Sequence, residues 1–189
     1  MNRKQLKLED PKRIEELNPL GTLQRIGIEE NHVVCDVGAG SGIFTVAAAT
    51  MTKNIVFGLE IDKEMLSLIE TKAKQNELTN IRLIEVRDDH FDIDAASVDI
   101  VLMVTVLHEI DNKAAMMSEI NRILRDEGKF AVIEFNKRDT SMGPPMHLRL
   151  DQTEVETILR ENGFAKINSF DLGENMYCMV FKKIPLLSS

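Results

Sequence analysis

Short runs of β-branched and large apolar residues alternate along the chain with longer stretches whose apolar positions recur every three or four residues. That alternation predicts an α/β protein with a mainly parallel sheet and crossover helices. The strand-like runs are 33–37, 55–60, 81–86, Val98–Val104, 129–134, 167–170 and 177–181. Between them, Met65, Ile69 and Ala73 fall on one helical face, as do Met117, Ile120 and Leu124, and again Val155, Ile158 and Leu159. Asp151 with Glu154 reads as a capping box, Gly163 as the stop after that helix, and Gly128 as the stop after the helix before it. The segment from Asp171 to Met176 is too short for a crossover helix, so the last two strands are expected to form an antiparallel hairpin. Ahead of the first strand, Pro11–Leu17 reads as a polar-faced helix, broken at Asn18-Pro19 and followed by a second short helix around 22–26. Residues 1–30 therefore form a helical cap, and 136–150, with Gly143, Pro144 and Pro145, is the one long irregular connection.

At 189 residues the chain has room for one domain, 1–189, with a sizeable core. Its 31 acidic and 23 basic residues leave a formal charge of -8, which repels a phosphate backbone and argues against nucleic acid as a partner. No apolar run is long enough to span a bilayer, and the opening "MNRKQLKLEDPKRIEEL" lacks a secretory core, so the expectation is a cytoplasmic protein without integral membrane association. Cys35 and Cys178 lie in separate strand-like runs without a CxxC or Cys/His cluster, which makes both buried thiols and leaves no metal expected. The ten methionines sit mostly on helix or strand faces and read as core filler.

Three features carry chemistry. In "VCDVGAGSGIF", Gly38, Gly40 and Gly42 stand at alternate positions between a strand and a helix, where glycine permits the sharp turn and lets a ligand touch main chain. The N–H groups opening the next helix favour an anionic group there. Glu60 ends the second strand, where a carboxylate can accept from ribose hydroxyls. Asp88 follows the third strand, where it serves either an adenine amino group or a turn cap. The dinucleotide fingerprint is GxGxxG, and here the last interval is one residue shorter.

Asp36-x-Gly38-x-Gly40-x-Gly42, Glu60, Asp88, "VDIVLMVTVLHEIDN" and "MSEINRILRDEGKFAVIEF" together resemble the successive motifs of class I S-adenosylmethionine-dependent methyltransferases, in particular the small ubiquinone/menaquinone-biosynthesis-type branch. Asp126 and Glu127 stand where that branch usually has Pro-Gly, a departure confined to a turn. The resemblance implies a Rossmann-like seven-stranded mixed sheet of order 3-2-1-4-5-7-6 with strand seven antiparallel. It implies S-adenosylmethionine as cofactor, with S-adenosylhomocysteine as product. On this sequence it places Gly38, Ala39, Gly40 and Gly42 around the methionine part, Glu60 with Ile61 at the ribose, Asp88 and Asp89 by the adenine, and Val104 in the same site. Asp36 orients the loop or meets the amino group.

Displacement at a sulfonium methyl needs nucleophile and methyl held in line, and needs a base only if the acceptor must lose a proton. Candidate catalytic residues at the carboxyl ends of strands four and five are His108 and Glu134. Candidate substrate residues are His108, Asn136, His147 and Arg149, the last two sharing one side of an extended stretch. For His108 a packing role and a role toward the acceptor stand level. The expected reaction is methyl transfer to a small-molecule acceptor, by a monomer or homodimer. A nicotinamide-dependent Rossmann oxidoreductase and a non-catalytic S-adenosylmethionine-binding domain are the alternatives.

Overall fold

Residues 3–87, 90–140 and 142–184 are described by a computed structural model. Three helices, α1 (Arg3–Leu8), α2 (Pro11–Leu17) and α3 (Pro19–Ile26), precede β1 (Val34–Val37), α4 (Ile43–Met51), β2 (Val56–Glu60), α5 (Lys63–Gln75) and β3 (Ile81–Glu85). Then come β4 (Val98–Val104), α6 (Lys113–Ile123), β5 (Leu124–Phe135), α7 (Gln152–Glu161), β6 (Phe164–Leu172) and β7 (Met176–Lys183). The strands lie in the order β3-β2-β1-β4-β5-β7-β6, parallel except at β7, which runs antiparallel to both β5 and β6. This is the expected sheet.

Side chains alternate across the sheet, and both faces are covered, which is why the central strands read as continuous apolar runs. Cys35, Val101, Met103, Phe130, Val132, Tyr177 and Met179 meet α6 and α7 through Met117, Ile120, Ile123, Val155 and Leu159. On the other face Val34, Ile100, Leu102, Ala131, Ile133 and Cys178 meet Leu23 and Ile26 of α3 and Phe44, Ala48 and Ala49 of α4. The two cysteines thus sit on opposite faces, both free and buried. Burial pushes the Cys178 thiol up to about 12 and the Cys35 thiol well above its ordinary value.

Some local expectations are corrected. Gly128 does not stop α6: the helix ends at Ile123, Leu124 is already extended, and 125–128 form a bulge in β5 opposite Val98–Ile100. β6 is more than twice as long as its apolar run suggests, because as an edge strand it exposes most of its side chains and carries little hydrophobic signal. Residues Met146–Leu148 form one 3-10 turn and not an extended stretch, so His147 and Arg149 do not share a strand side. The capping box of Asp151 and Glu154 is present in full, with both of its hydrogen bonds formed. α2 has its expected bounds, and the break after it is made by Asn18 in the left-handed conformation. α1 carries too few apolar positions to stand out in the sequence; the structure sets it over the carboxyl edge of the sheet, with Leu8 against Gly40.

Candidate active site

The carboxyl ends of β1, β2 and β4 open onto one cleft, as the switch of strand order at β1 and β4 requires. Gly38, Gly40 and Gly42 all have left-handed backbone, at φ of 72°, 54° and 81°. A Cβ at Gly38 would stand 2.5 Å from Val106 and one at Gly42 2.7 Å from Ile69, so conformation and space both exclude a side chain at these two positions. The turn is pinned to β2, since the Gly38 and Ala39 N–H groups donate to the Leu59 carbonyl at 2.9 and 2.8 Å. Glu60 completes the pinning. Its Oε2 accepts from the Gly40 N–H at 2.7 Å, and its Oε1 from the N–H groups of Ile61 and Asp62 at 3.0 and 3.1 Å.

Two adjoining spaces follow from this geometry. The smaller, about 30 Å³, lies at the loop and is lined by Asp36, Gly38, Ala39, Gly40, Ser41, Val104, Leu8 and Arg13. Asp36 is buried and accepts from Thr45 Oγ1 at 2.6 Å. Burial, reinforced by the nearby Glu60 charge and opposed by the Thr45 hydroxyl, raises its carboxyl to about 6. Ser41 is 2 % exposed, and its Oγ has no hydrogen-bond partner, an orphaned donor in a cradle shaped for a polar group. The larger space, about 250 Å³, runs from Gly38 and Gly40 past Glu60 to Ile61, Val86, Phe91, Ile110 and Met116. Apolar side chains beside Glu60 at the strand end suit a nucleoside, with Lys4, 3.8 Å from Glu60 Oε1, and Glu109 at the rim. Phe91 is held there from below: Glu119 accepts from its N–H at 2.7 Å, and Arg122 donates to the Phe91 and Ile93 carbonyls at 3.0 and 2.9 Å. Asp88 and Asp89 lie outside the described residues.

A third space, about 500 Å³, opens on the far side of Leu8, Thr105 and Glu109 and reaches Lys7, Asp10, Arg13, His108, Phe135, Met142 and Pro144. Thr105, the residue after β4, has φ 55°, a strained conformation for a β-branched residue, held by its N–H to the Ile133 carbonyl and by Arg13 Nη2 on its Oγ1. From there the chain makes a 3-10 turn, Leu107–Glu109, that brings His108 back over β5. His108 Nδ1 lies 2.8 Å from Glu134 Oε2, and both side chains are almost fully buried. A carboxylate only accepts, so Nδ1 carries the proton, and in the neutral ring Nε2, 3.8 Å from Glu109 Oε1, keeps its lone pair. Burial works against the charged ring, but the Glu134 hydrogen bond and charge, with Glu109 adding and Lys113 opposing, raise its pKa above the ordinary 6.5. The arrangement is an oriented base at the edge of a cleft.

The remaining sequence candidates are placed elsewhere. Arg149 is buried, and all three guanidinium nitrogens bind the connection itself, donating to the carbonyls of Asn136, Arg138, Met142 and Pro144 and to Thr140 Oγ1. It ties the 136–150 connection into shape. Asn136 is turned to the hairpin, its Nδ2 donating to the Glu174 carbonyl at 3.2 Å, and His147 is exposed. Sequence reasoning missed Ser41, which only the gap between two motif glycines could have flagged. It also missed Leu8 and Arg13, which no motif marks. Among the described residues no group of three or more His, Cys, Asp or Glu could hold a metal ion, and no helix is long and apolar enough to cross a membrane.

A loop of this geometry on a sheet of this order defines the Rossmann-like methyltransferase fold. A methyltransferase-domain family model matches residues 28–179, and the chain belongs to that family. It is 25% identical over 115 residues to a demethylmenaquinone methyltransferase of Geobacillus sp. (strain WCH70), covering 60% of this chain and 49% of that protein. A demethylmenaquinone methyltransferase of Tropheryma whipplei (strain Twist) is 28% identical over 125 residues, 66% of this chain and 51% of that one. The chain thus spans about half the length of the curated relatives it matches. The crystal structure of a SAM dependent methyltransferase from Aquifex aeolicus superposes with a TM-score of 0.89 at 23% identity, over 94% of this chain and 96% of that one.

Proposed function

We propose that the protein is an S-adenosylmethionine-dependent methyltransferase acting on a small-molecule acceptor that loses a proton, such as a phenol or an activated ring carbon. The observation that carries this reading is the meeting of two spaces at Leu8, Thr105 and Glu109: one of about 250 Å³ lined by Glu60 and apolar side chains and adjoining a polar cradle, and one of about 500 Å³ with an oriented base on its wall. The cofactor would supply an activated methyl on a neutral leaving group. Gly38, Ala39, Gly40 and Ser41 would hold its amino-acid end, Glu60 its ribose, and Ile61, Val86, Phe91 and Met116 its base.

The chain's own contribution is placement. Thr105 and Leu8 bring the acceptor side against the donor side, and close placement is worth several powers of ten in rate. His108 Nε2 takes the acceptor's proton while Glu134 holds the ring and stabilises the imidazolium. Leu8, Phe135, Met142 and Pro144 give the cleft an apolar wall, and about 500 Å³ suits a small molecule. The printed names of the curated relatives, which concern a quinone, agree with a proton-bearing ring as acceptor. Such an enzyme would work in the cytoplasm.

The test is calorimetric titration with S-adenosylhomocysteine and with NADH, followed by release of S-adenosylhomocysteine across a panel of phenolic and carbon acceptors. Heat with NADH alone would overturn the reading in favour of an oxidoreductase. Cofactor binding without turnover on any acceptor would overturn it in favour of a binding domain.

A further inference from the structure

Of the three residues at which the two larger spaces meet, Leu8, Thr105 and Glu109, only Thr105 has a side-chain donor, since Leu8 is apolar and an ionised Glu109 only accepts. Among the described residues Thr105 Oγ1 makes one hydrogen bond, as the acceptor from Arg13 Nη2 at 3.1 Å. A threonine hydroxyl also has one proton to give, and here that proton is uncommitted. Arg13 is 8 % exposed, so water screens its charge little. With one lone pair turned to the guanidinium, the O–H points away from it, and the cation polarises the O–H toward stronger donation. The backbone agrees: a β-branched residue at φ 55° is costly, and the Ile133 carbonyl and Arg13 together hold it there.

The rest of this corner says what such a donor would serve. Three residues on, the 3-10 turn sets His108 on the wall of the same space of about 500 Å³, with its Nδ1 committed to Glu134. A base and a polarised donor lining one space fit an acceptor whose O–H gives up its proton: the base takes the proton, and the donor holds the oxygen left with the charge. Phe135, Met142 and Pro144 give that space an apolar wall, so the oxygen belongs on an aromatic ring and not on a sugar. The charged groups facing the corner are Lys7, Asp10 and Arg13 from the N-terminal cap and His108 and Glu109 from the turn, with Glu134 and Lys113 acting on the His108 ring. Once His108 has taken a proton, the cations among them outnumber the carboxylates, which favours an anionic oxygen.

We propose that Thr105 is a second catalytic residue, whose hydroxyl donates to the phenolic oxygen of the acceptor as His108 Nε2 removes that oxygen's proton. The inference rests on the methyltransferase reading above and deepens it by making the acceptor a phenol. In this step the acceptor's O–H bond breaks, the proton bonds to Nε2, and the electron pair stays on the oxygen, where the Thr105 O–H meets it. Arg13 is a positioning residue in the same step, because it acts on the acceptor only through Thr105 Oγ1.

The test titrates 4-nitrophenol into the full chain saturated with S-adenosylhomocysteine, read by calorimetry and by the visible absorbance of the ionised phenol, with nitrobenzene as the ligand that lacks the oxygen. In the wild type the bound 4-nitrophenol is expected to be ionised at a pH below its pKa in water. Thr105→Val keeps the branched shape and removes the hydroxyl; it should weaken 4-nitrophenol about 10- to 100-fold, the size of one hydrogen bond to a charged oxygen, and leave nitrobenzene and S-adenosylhomocysteine unchanged. Thr105→Ser restores most of the lost affinity. Equal loss for 4-nitrophenol and nitrobenzene would overturn the proposal, because Thr105 would then only shape the corner. A loss confined to S-adenosylhomocysteine would overturn it in favour of a donor-side contact. If Thr105→Val does not fold, the wild-type spectrum carries the test: 4-nitrophenol bound in its neutral form, or not bound beside S-adenosylhomocysteine at all, overturns the proposal. Wild-type protein that binds no S-adenosylhomocysteine would instead remove the methyltransferase reading beneath it.

Discussion

Glu134→Gln tests the base most directly, because it keeps the shape of the side chain and removes its charge. Glu134 Oε2 lies 2.8 Å from His108 Nδ1 and Oε1 3.2 Å from the His108 N–H, with both side chains buried, so no water replaces the lost charge. A hydrogen bond to a charged group is worth about 1.5–3 kcal/mol, and the imidazolium loses that support in the variant. Burial, which opposes the charged ring, then prevails, and the His108 pKa falls. In the wild type the raised pKa means that the pair's stabilisation is fully present below the ordinary histidine value of 6.5 and is lost as pH rises through the folded-state pKa. The variant is therefore least stable relative to wild type in mild acid, where a loss of that size lowers Tm by about 3–12 °C for a chain of this length, and the gap narrows toward alkaline pH. The acid limb of kcat/KM, which reports the free enzyme's base, moves to lower pH while the plateau drops, since a weaker base remains. Proton NMR titration of the His108 ring reads the same shift without turnover. A limb and a ring titration both unmoved by the substitution would refute the pairing of Glu134 with a catalytic His108.

His108→Ala should abolish turnover and leave S-adenosylhomocysteine affinity within about twofold, measured by calorimetry, since the ring borders the acceptor cleft and not the donor space. Gly40→Val should eliminate cofactor binding in a chain that still folds, as checked by circular dichroism: φ is 54°, and a Cβ would already stand 3.1 Å from Leu8. Normal binding by that variant would disprove the loop assignment. Glu60→Ala frees the Gly40, Ile61 and Asp62 N–H groups and should weaken S-adenosylhomocysteine binding by about 1–3 kcal/mol, read by calorimetry at constant salt.

Much of this molecule is local. The left-handed glycines, the capping box of Asp151 and Glu154, the Asn18 break and the hairpin after Leu172 each follow from a few neighbouring residues, and so they were legible as sequence. The two-sided burial of the central strands was legible too, because a strand covered on both faces has no regular alternation of polar positions to interrupt it. The length of β6 was not, since an edge strand exposes polar residues that look like loop. Nor was the fate of Gly128, where pairing with β4 begins strand geometry at Leu124 and overrides a helix stop.

The site divides in the same way. The residue types that make the donor loop are consecutive, so Gly38, Gly40, Gly42 and the strand-ending Glu60 could be named in advance, although not that Glu60 closes on the Gly40 N–H. Arg149 shows the opposite case: an exposed-looking cation in a functional-looking connection proves to be committed to five carbonyl and hydroxyl oxygens of that connection. The pairing of His108 with Glu134 spans 26 positions, and the contact of Arg13 with Thr105 spans 92. Sequence determined which backbone could turn and which faces had to be buried, because those are properties of neighbours. Tertiary structure alone decided which charges meet, because the partner of a buried charge is set by strand order and not by spacing along the chain.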